Sequence, residues 1–354
     1  MKIVVRSDAS NNIGTGHIMR CLVLADELQQ RGYEVIFACR PQVGDLINYI
    51  NSRFFKVLKL DSVTVPKKLA HESDYMGWLQ RSEEEDAHDF MDRVDNVDAV
   101  IVDHYALGEK WETIVQSSLG CKILVIDDLV RKHNADLMVD QTLGRNKIDY
   151  KSTRKVIAGS KYCLIKKDFI NIRARCLSKT DYNFPVRVLI SMGGIDNPNA
   201  TWRVLKSIGK MSNISITVLL SRASPHYLKV KSHSEQFSNI KHIDFVDDVA
   251  TVMYDHDIAV GAAGTTSWER ACVGLPCVMI PLAENQQEIC DQLVLSGAGI
   301  KVELDAIEEE VCGGVDKLLN DWMVFRAANF KLCDGKGATR VAECIVQIVG
   351  NNEN

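Results

Sequence analysis

The sequence predicts an α/β protein made of two doubly wound parallel-sheet domains in tandem. Strand-like apolar runs alternate with helix-period runs almost throughout. Runs such as Val100-Ile-Val102 and Ile123-Leu-Val-Ile126 are continuously apolar, as in central strands covered on both faces. The chain's 354 residues also exceed one ordinary α/β core.

In the first half, strands are expected at Ile3–Val5, Glu34–Ala38, Ala99–Val102 and Lys122–Ile126, with a shorter one at Leu137–Val139. Ile18, Cys21, Leu22, Ala25 and Leu28 repeat at helical spacing between the first two. The acidic stretch Asp61–Asp95 reads as helical, with Glu83 to Asp86 on a solvated face. A second series of strands follows at Val186–Met192, Ser215–Leu220, near Ile243–Val246, Ile258–Val260 and Val278–Ile280. Helices are expected from about Asn199, over Thr266–Val273, Gln286–Leu295 and Ile307–Leu319, and last over Lys336–Ile348. The polar segment between Ala174 and Pro185 marks the break. The expected domains are therefore 1–175 and 185–350, and the sequence does not decide which of them the last helix joins.

Composition narrows the classes of function. The chain is 46% hydrophobic and 25% charged, with net charge -5 and a pI of about 6.0, so no basic surface for nucleic acid or anionic membrane is expected. No apolar run reaches spanning length, and the first residues read as a strand, not a signal peptide. Eleven cysteines without a C-x-x-C pair, several inside apolar runs, suit reduced thiols in a cytoplasmic protein.

Parallel sheets bind ligands at the carboxyl ends of their strands. Such edges are expected at Ser7–His17, Asp103-His104-Tyr105, Ser191–Asn197, Gly261–Glu269 and Pro281–Gln287, and in a two-domain arrangement they can face one cleft. Gly14-Thr-Gly16-His17 joins a strand to a helix N-terminus, where the dipole keeps an imidazole neutral and hence basic. His17 either caps the helix start or takes a proton from water. Asp8 could brace the turn, orient the His17 ring or bind a sugar hydroxyl, and Tyr105 could position water or sugar. Met192-Gly193-Gly194 and Gly264-Thr265-Thr266 are candidate anion loops, the latter opening a helix. Glu269, in that helix's first turn, either caps it or accepts hydrogen bonds from ribose hydroxyls. A Rossmann fingerprint, a P-loop lysine and a G-x-S-x-G elbow are all missing, and no metal-ligand spacing is present. Asp255-His-Asp257 has a D-x-D spacing but precedes its strand.

Arg6-Ser-Asp-Ala-Ser-x-x-Ile-Gly-Thr-Gly-His17-Ile-Met-Arg20 resembles the opening of the UDP-sugar hydrolases of pseudaminic acid biosynthesis. Asp103-His-Tyr105, Ile126-Asp-Asp128, Ser191-Met-Gly-Gly194 with Asp196, and Glu284-Asn285-Gln286 match further motifs in order. That family is similar to the GT-B glycosyltransferases, notably the lipid II-forming N-acetylglucosaminyl transferase. The resemblance implies a GT-B-like fold, two Rossmann-like domains facing a central cleft, with UDP held mainly by the second. It implies hydrolysis of UDP-2,4-diacetamido-2,4,6-trideoxy-β-L-altropyranose to UDP and the free sugar, with inversion at C1 and without metal or other cofactor. His17 would be the base. Asp8, Gly14, Gly16, Tyr105, Asn285 and Gln286 would meet the sugar and water. The loops at Met192–Gly194 and Gly264–Thr266 would hold the diphosphate, and Glu269 the ribose. One departure is that Gly264-Thr-Thr266 stands where some members carry serines. A small-molecule UDP-sugar is the only partner implied, and a monomer is the default expectation. The competing readings are a glycosyltransferase of the same fold, a UDP-sugar 2-epimerase-like enzyme and a non-catalytic nucleotide-sugar sensor.

Overall fold

The computed structural model describes residues 1–63, 67–71, 74–150, 154–209 and 211–350, and of Asn285 only the backbone. The expected stretch Asp61–Asp95 falls partly outside these residues. Two compact units are present.

The first contains, in chain order, β1 (Lys2–Ser7), α1 (Gly16–Gln29), β2 (Glu34–Cys39), α2 (Ile47–Ser52), β3 (Lys56–Lys59), α3 (Tyr75–Leu79) and α4 (Glu83–Met91). β4 (Ala99–Asp103), α5 (Glu109–Leu119), β5 (Lys122–Ile126), β6 (Leu137–Asp140) and β7 (Val156–Ala158) follow. Its seven strands lie in the order β3-β2-β1-β4-β5-β6-β7, all paired parallel. Residues of β1, β4 and β5 are buried on both faces, which is why these runs lack polar alternation.

The second unit contains α6 (Lys167–Leu177), β8 (Val186–Ser191), α7 (Ala200–Ile208), β9 (Ile214–Leu219), α8 (Tyr227–Ser234), β10 (Ile240–Ile243), α9 (Val249–Asp255) and β11 (Ile258–Ala262). It continues with α10 (Thr266–Val273), β12 (Cys277–Ile280), α11 (Glu284–Leu295), β13 (Gly299–Lys301), α12 (Ile307–Asn320) and α13 (Trp322–Leu332). Its six strands run β10-β9-β8-β11-β12-β13, again all parallel. The last helix, α14 (Gly337–Gly350), returns to the first unit.

The division differs from the expected 1–175 and 185–350. It falls between Leu164 and Ile165, and the chain from Lys336 onward clusters with the first unit. Side-chain packing explains both shifts. Phe169, Ile172 and Cys176 of α6 are buried, and Arg173 donates to the carbonyls of Cys272, Phe330 and Cys333, all in the second unit. Val341, Ala342, Ile345 and Val349 of α14 join the core of β1 and α1. Ile345→Ala is expected to destabilise the protein by about 2–4 kcal/mol in denaturant unfolding, as for buried aliphatic truncations. A cost near zero would mean that α14 does not anchor this core.

Two local expectations also change. The strand placed near Ile243–Val246 ends at Ile243. The run Glu83 to Asp86 opens a helix with a Ser82–Glu85 capping box, but Asp86 is fully buried and not on a solvated face. It accepts hydrogen bonds from Arg6, Arg40 and the Trp111 indole. No disulfide joins cysteines among the described residues. Among them, too, no helix is long and apolar enough to cross a membrane.

Candidate functional site

In the first unit the strand order reverses between β1 and β4, which run side by side with Ser7 opposite Asp103. Loops leaving such a switch point diverge to opposite faces and open a crevice at the carboxyl edge. The loop after β1 turns at Gly14, whose φ of +79° is a conformation that L side chains rarely adopt. Its N–H bonds the Ser10 carbonyl at 2.8 Å, and α1 then begins at Gly16. His17 is thus the second residue of α1.

The His17 Nδ1 lies 2.6 Å from Asp103 Oδ1. An ionised carboxylate only accepts, so Nδ1 carries the proton and Nε2 keeps a lone pair. Burial alone would raise the Asp103 pKa, but the Arg20 guanidinium and His17 hold it well below the usual carboxylate range. Arg20 binds both Asp103 oxygens at 2.6 Å, through Nε and Nη2, and reaches Asp128 Oδ2 at 3.2 Å through Nη1. The Tyr105 hydroxyl donates to the other oxygen of Asp128, and its ring meets the His17 ring edge-on at 4.6 Å. Burial and the Asp128 carboxylate push the Tyr105 phenol well above its ordinary pKa. The structure therefore brings His17, Asp103, Arg20, Tyr105 and Asp128 into one network.

Of these partners, the sequence places Asp103 only as lining of a strand edge, and it carries Arg20 and Asp128 in its motifs without a role. Nor was the aromatic wall of α3 foreseen. Trp78 stacks on Tyr105 at 5.9 Å and Tyr75 meets it at 5.0 Å. Its only sequence signal is two aromatics three apart in a segment whose acidity dominates the reading.

Of the roles open to Asp8, its contacts fit the brace. It is fully buried, with both oxygens bound by Arg6 and one also by the Arg40 N–H at 2.7 Å. Asp103 holds the ring because its register position on β4 points at α1, a cross-strand relation invisible in sequence spacing. His104 lies beneath, with Nδ1 accepting the Ala106 N–H, and burial pushes it down to about 4. Asp127 turns away from Asp128 to Arg131, whose guanidinium also holds the carbonyls of Tyr105 and Leu107.

The second unit has its own reversal between β8 and β11, where Ser191 pairs with Gly261. A Cβ at Gly261 would lie 2.5 Å from the Ser191 carbonyl oxygen, so only glycine lets these strands meet. The loop after β11 leads into α10 through Thr265, which makes no side-chain cap bond. Arg270 ties the first turn back to the strand, donating to the Ala262 carbonyl at 2.8 Å, to Ser267 Oγ at 3.0 Å and to Thr266 Oγ1 at 3.3 Å. Gly264 and Thr266 are half-buried and Thr265 is exposed. Glu269 is half-buried in the same turn, and desolvation, opposed by Lys166 and Arg270, pushes its pKa up to about 7.

The other glycine loop differs. Gly193 and Gly194 are exposed, Gly193 at φ +84°, but the Met192 side chain belongs to the core. Asp196 accepts from the N–H groups of Ala200 and Thr201 at 2.9 Å each, so the start of α7 already holds an anion. Only the start of α10 lacks such a cap of the two. Gln286 accepts the Leu282 N–H at 3.0 Å, which orders the turn into α11. Asn285 lies in the first turn of α11, and its side chain falls outside the described residues. Asp257, from the D-x-D spacing, is a buried brace bonded to Asn183 and Arg187.

A family model, the glycosyltransferase family 28 C-terminal domain, matches residues 200–333. The chain is 25% identical to the UDP-2,4-diacetamido-2,4,6-trideoxy-beta-L-altropyranose hydrolase of Campylobacter jejuni, over 84% of this chain and 97% of that one. It is 25% identical to an uncharacterised protein of Methanocaldococcus jannaschii over 82% of this chain, spanning 58% of that protein's length. The crystal structure of Acinetobacter baumannii MurG superposes with a TM-score of 0.67 at 15% identity, over 98% of this chain and 99% of that one. The expected GT-B-like α/β fold is the fold observed, with one Rossmann-like sheet in each unit. The resemblance to the UDP-sugar hydrolases holds over most of the chain.

Proposed function

We propose that this chain is a nucleotide-sugar hydrolase that cleaves UDP-2,4-diacetamido-2,4,6-trideoxy-β-L-altropyranose to UDP and 2,4-diacetamido-2,4,6-trideoxy-L-altrose. The observation that carries the reading is the His17–Asp103 pair at the β1–β4 switch point, which leaves Nε2 as the nitrogen that can take a proton from water. The similarity to the Campylobacter jejuni hydrolase supports the substrate. In this reading Nε2 of His17 takes the proton as oxygen attacks C1, the C1–O bond to UDP breaks, and the anomeric configuration inverts. A nucleoside diphosphate leaves readily, so the positive end of α10 suffices to stabilise its charge, with no metal required. Gly193-Gly194 and Gly264–Thr266 contact the diphosphate and Glu269 the ribose. Gly14, Gly16, Tyr105, Asn285 and Gln286 attend the sugar and water. Release of UDP in the absence of any acceptor, with the inverted anomer dominant in early NMR spectra, is the expected result. Retained configuration would reject the single displacement.

Glu269 supplies an independent check. Ribose hydroxyls donate to a carboxylate, so binding favours its ionised form. With a pKa of about 7 in the free protein, UDP affinity is expected to rise as pH rises through 7 and binding to release a proton. Calorimetry in buffers of different ionisation enthalpy counts the protons, and Glu269→Gln should release fewer than the parent near pH 7. Equal counts in the two proteins would contradict Glu269 as the ribose ligand.

The family 28 match and the fold likeness to MurG favour a second reading, transfer of the sugar to an acceptor. That reading requires turnover to depend on the acceptor.

A further inference from the structure

We propose that Arg20 is a positioning residue that joins His17 and Tyr105 into one unit and keeps the orienting carboxylate from trapping the base in its protonated form. The inference rests on His17 being the base. Asp103 is 0% exposed, so no solvent shares its charge. Its Oδ1 meets His17 Nδ1 and Arg20 Nη2, and its Oδ2 meets Arg20 Nε and Cys21 Sγ. Arg20 is thus the permanent counter-charge of Asp103. Without it, protonated His17 would be the cation left against this carboxylate among the described partners, and the pair would resist giving up that proton. The remaining groups facing the ring are Tyr105 and Asp128 on the loops after β4 and β5, with His104 farther beneath.

The third arm of the guanidinium, Nη1 to Asp128, reaches the carboxylate that accepts the Tyr105 proton. One planar fork therefore sets both the base and the tyrosine. Lysine, a single point charge, can balance Asp103 but cannot span Asp103 and Asp128 together.

The test compares Arg20→Gln, Arg20→Lys and His17→Ala as full-length proteins, with the pH profile of kcat/KM, KM for the UDP-sugar, and melting temperature. In R20Q the acid limb is expected to move up by about one pH unit or more, with roughly tenfold less activity below it per unit. R20K should bring the limb back toward the parent position while KM stays raised. A folded R20Q that loses rate equally at every pH, with the limb unmoved, overturns the proposal in favour of a merely structural arginine. Should R20Q fail to fold, R20K decides: parent-like limb and parent-like KM together overturn it, and a raised KM with a parent-like limb supports it. Full turnover by H17A would instead remove the base assignment itself. An inactive H17A beside an unmoved R20Q limb removes only this inference.

Discussion

His17→Ala is expected to lower kcat by about a thousandfold while UDP still binds, because positioned proton transfer typically contributes about 10²–10⁴-fold. Water is a poor nucleophile, and His17, with Nδ1 held by Asp103, presents Nε2 as the nitrogen suited to activating it. The variant should remain folded. His17 sits in the first turn of α1, and that helix is held through the buried Ile18, Leu22, Ala25 and Leu28. Kinetics by UDP release, with UDP affinity measured alongside, separates the outcomes. Full turnover rejects the base assignment, and loss of UDP binding would mean that the substitution reached beyond proton transfer.

Asp103→Asn carries the second largest effect, a loss of about 10²-fold or more in kcat with little change in UDP affinity. A carboxamide can turn its NH₂ toward Nδ1, which then needs its lone pair there and puts the ring proton on Nε2, the wrong tautomer for a base. Arg20 sharpens this, since its Nε and Nη2 donors pull the one remaining carbonyl oxygen of an asparagine toward themselves and away from the ring. Activity within tenfold of the parent, in a protein with parent-like melting, would show that Asp103 does not set the tautomer.

The contrast between these two residues shows what a sequence reveals. His17 was legible because a glycine turn between an apolar strand and a helical run fixes its position by local rules alone. Asp103 was legible as polar lining at a strand end, but not as the partner of His17. That pairing arises from strand order, which sets β4 beside β1. The same limit left three roles open for Asp8, and its contacts with Arg6 and Arg40, which fit the brace, come from neighbouring strands that sequence spacing does not reveal. Central strands were readable from continuous apolar runs, whereas the edge strands β3, β7 and β13 have three or four residues and carry too little pattern. Glycine loops were readable by their place at strand ends. The Asp196 cap on α7, which distinguishes one loop from the other, depends on where a loop carboxylate folds back. The last helix was readable as a helix, but its partner core lies hundreds of residues earlier in the chain.

Turnover of the UDP-diacetamido sugar in ¹⁸O-water without acceptor, read by mass spectrometry of both products, tests the central claim most directly. Attack of a His17-activated water at C1 predicts one ¹⁸O in the released sugar and none in UDP. Label in the UDP phosphate, or no release until an acceptor is supplied, would contradict it.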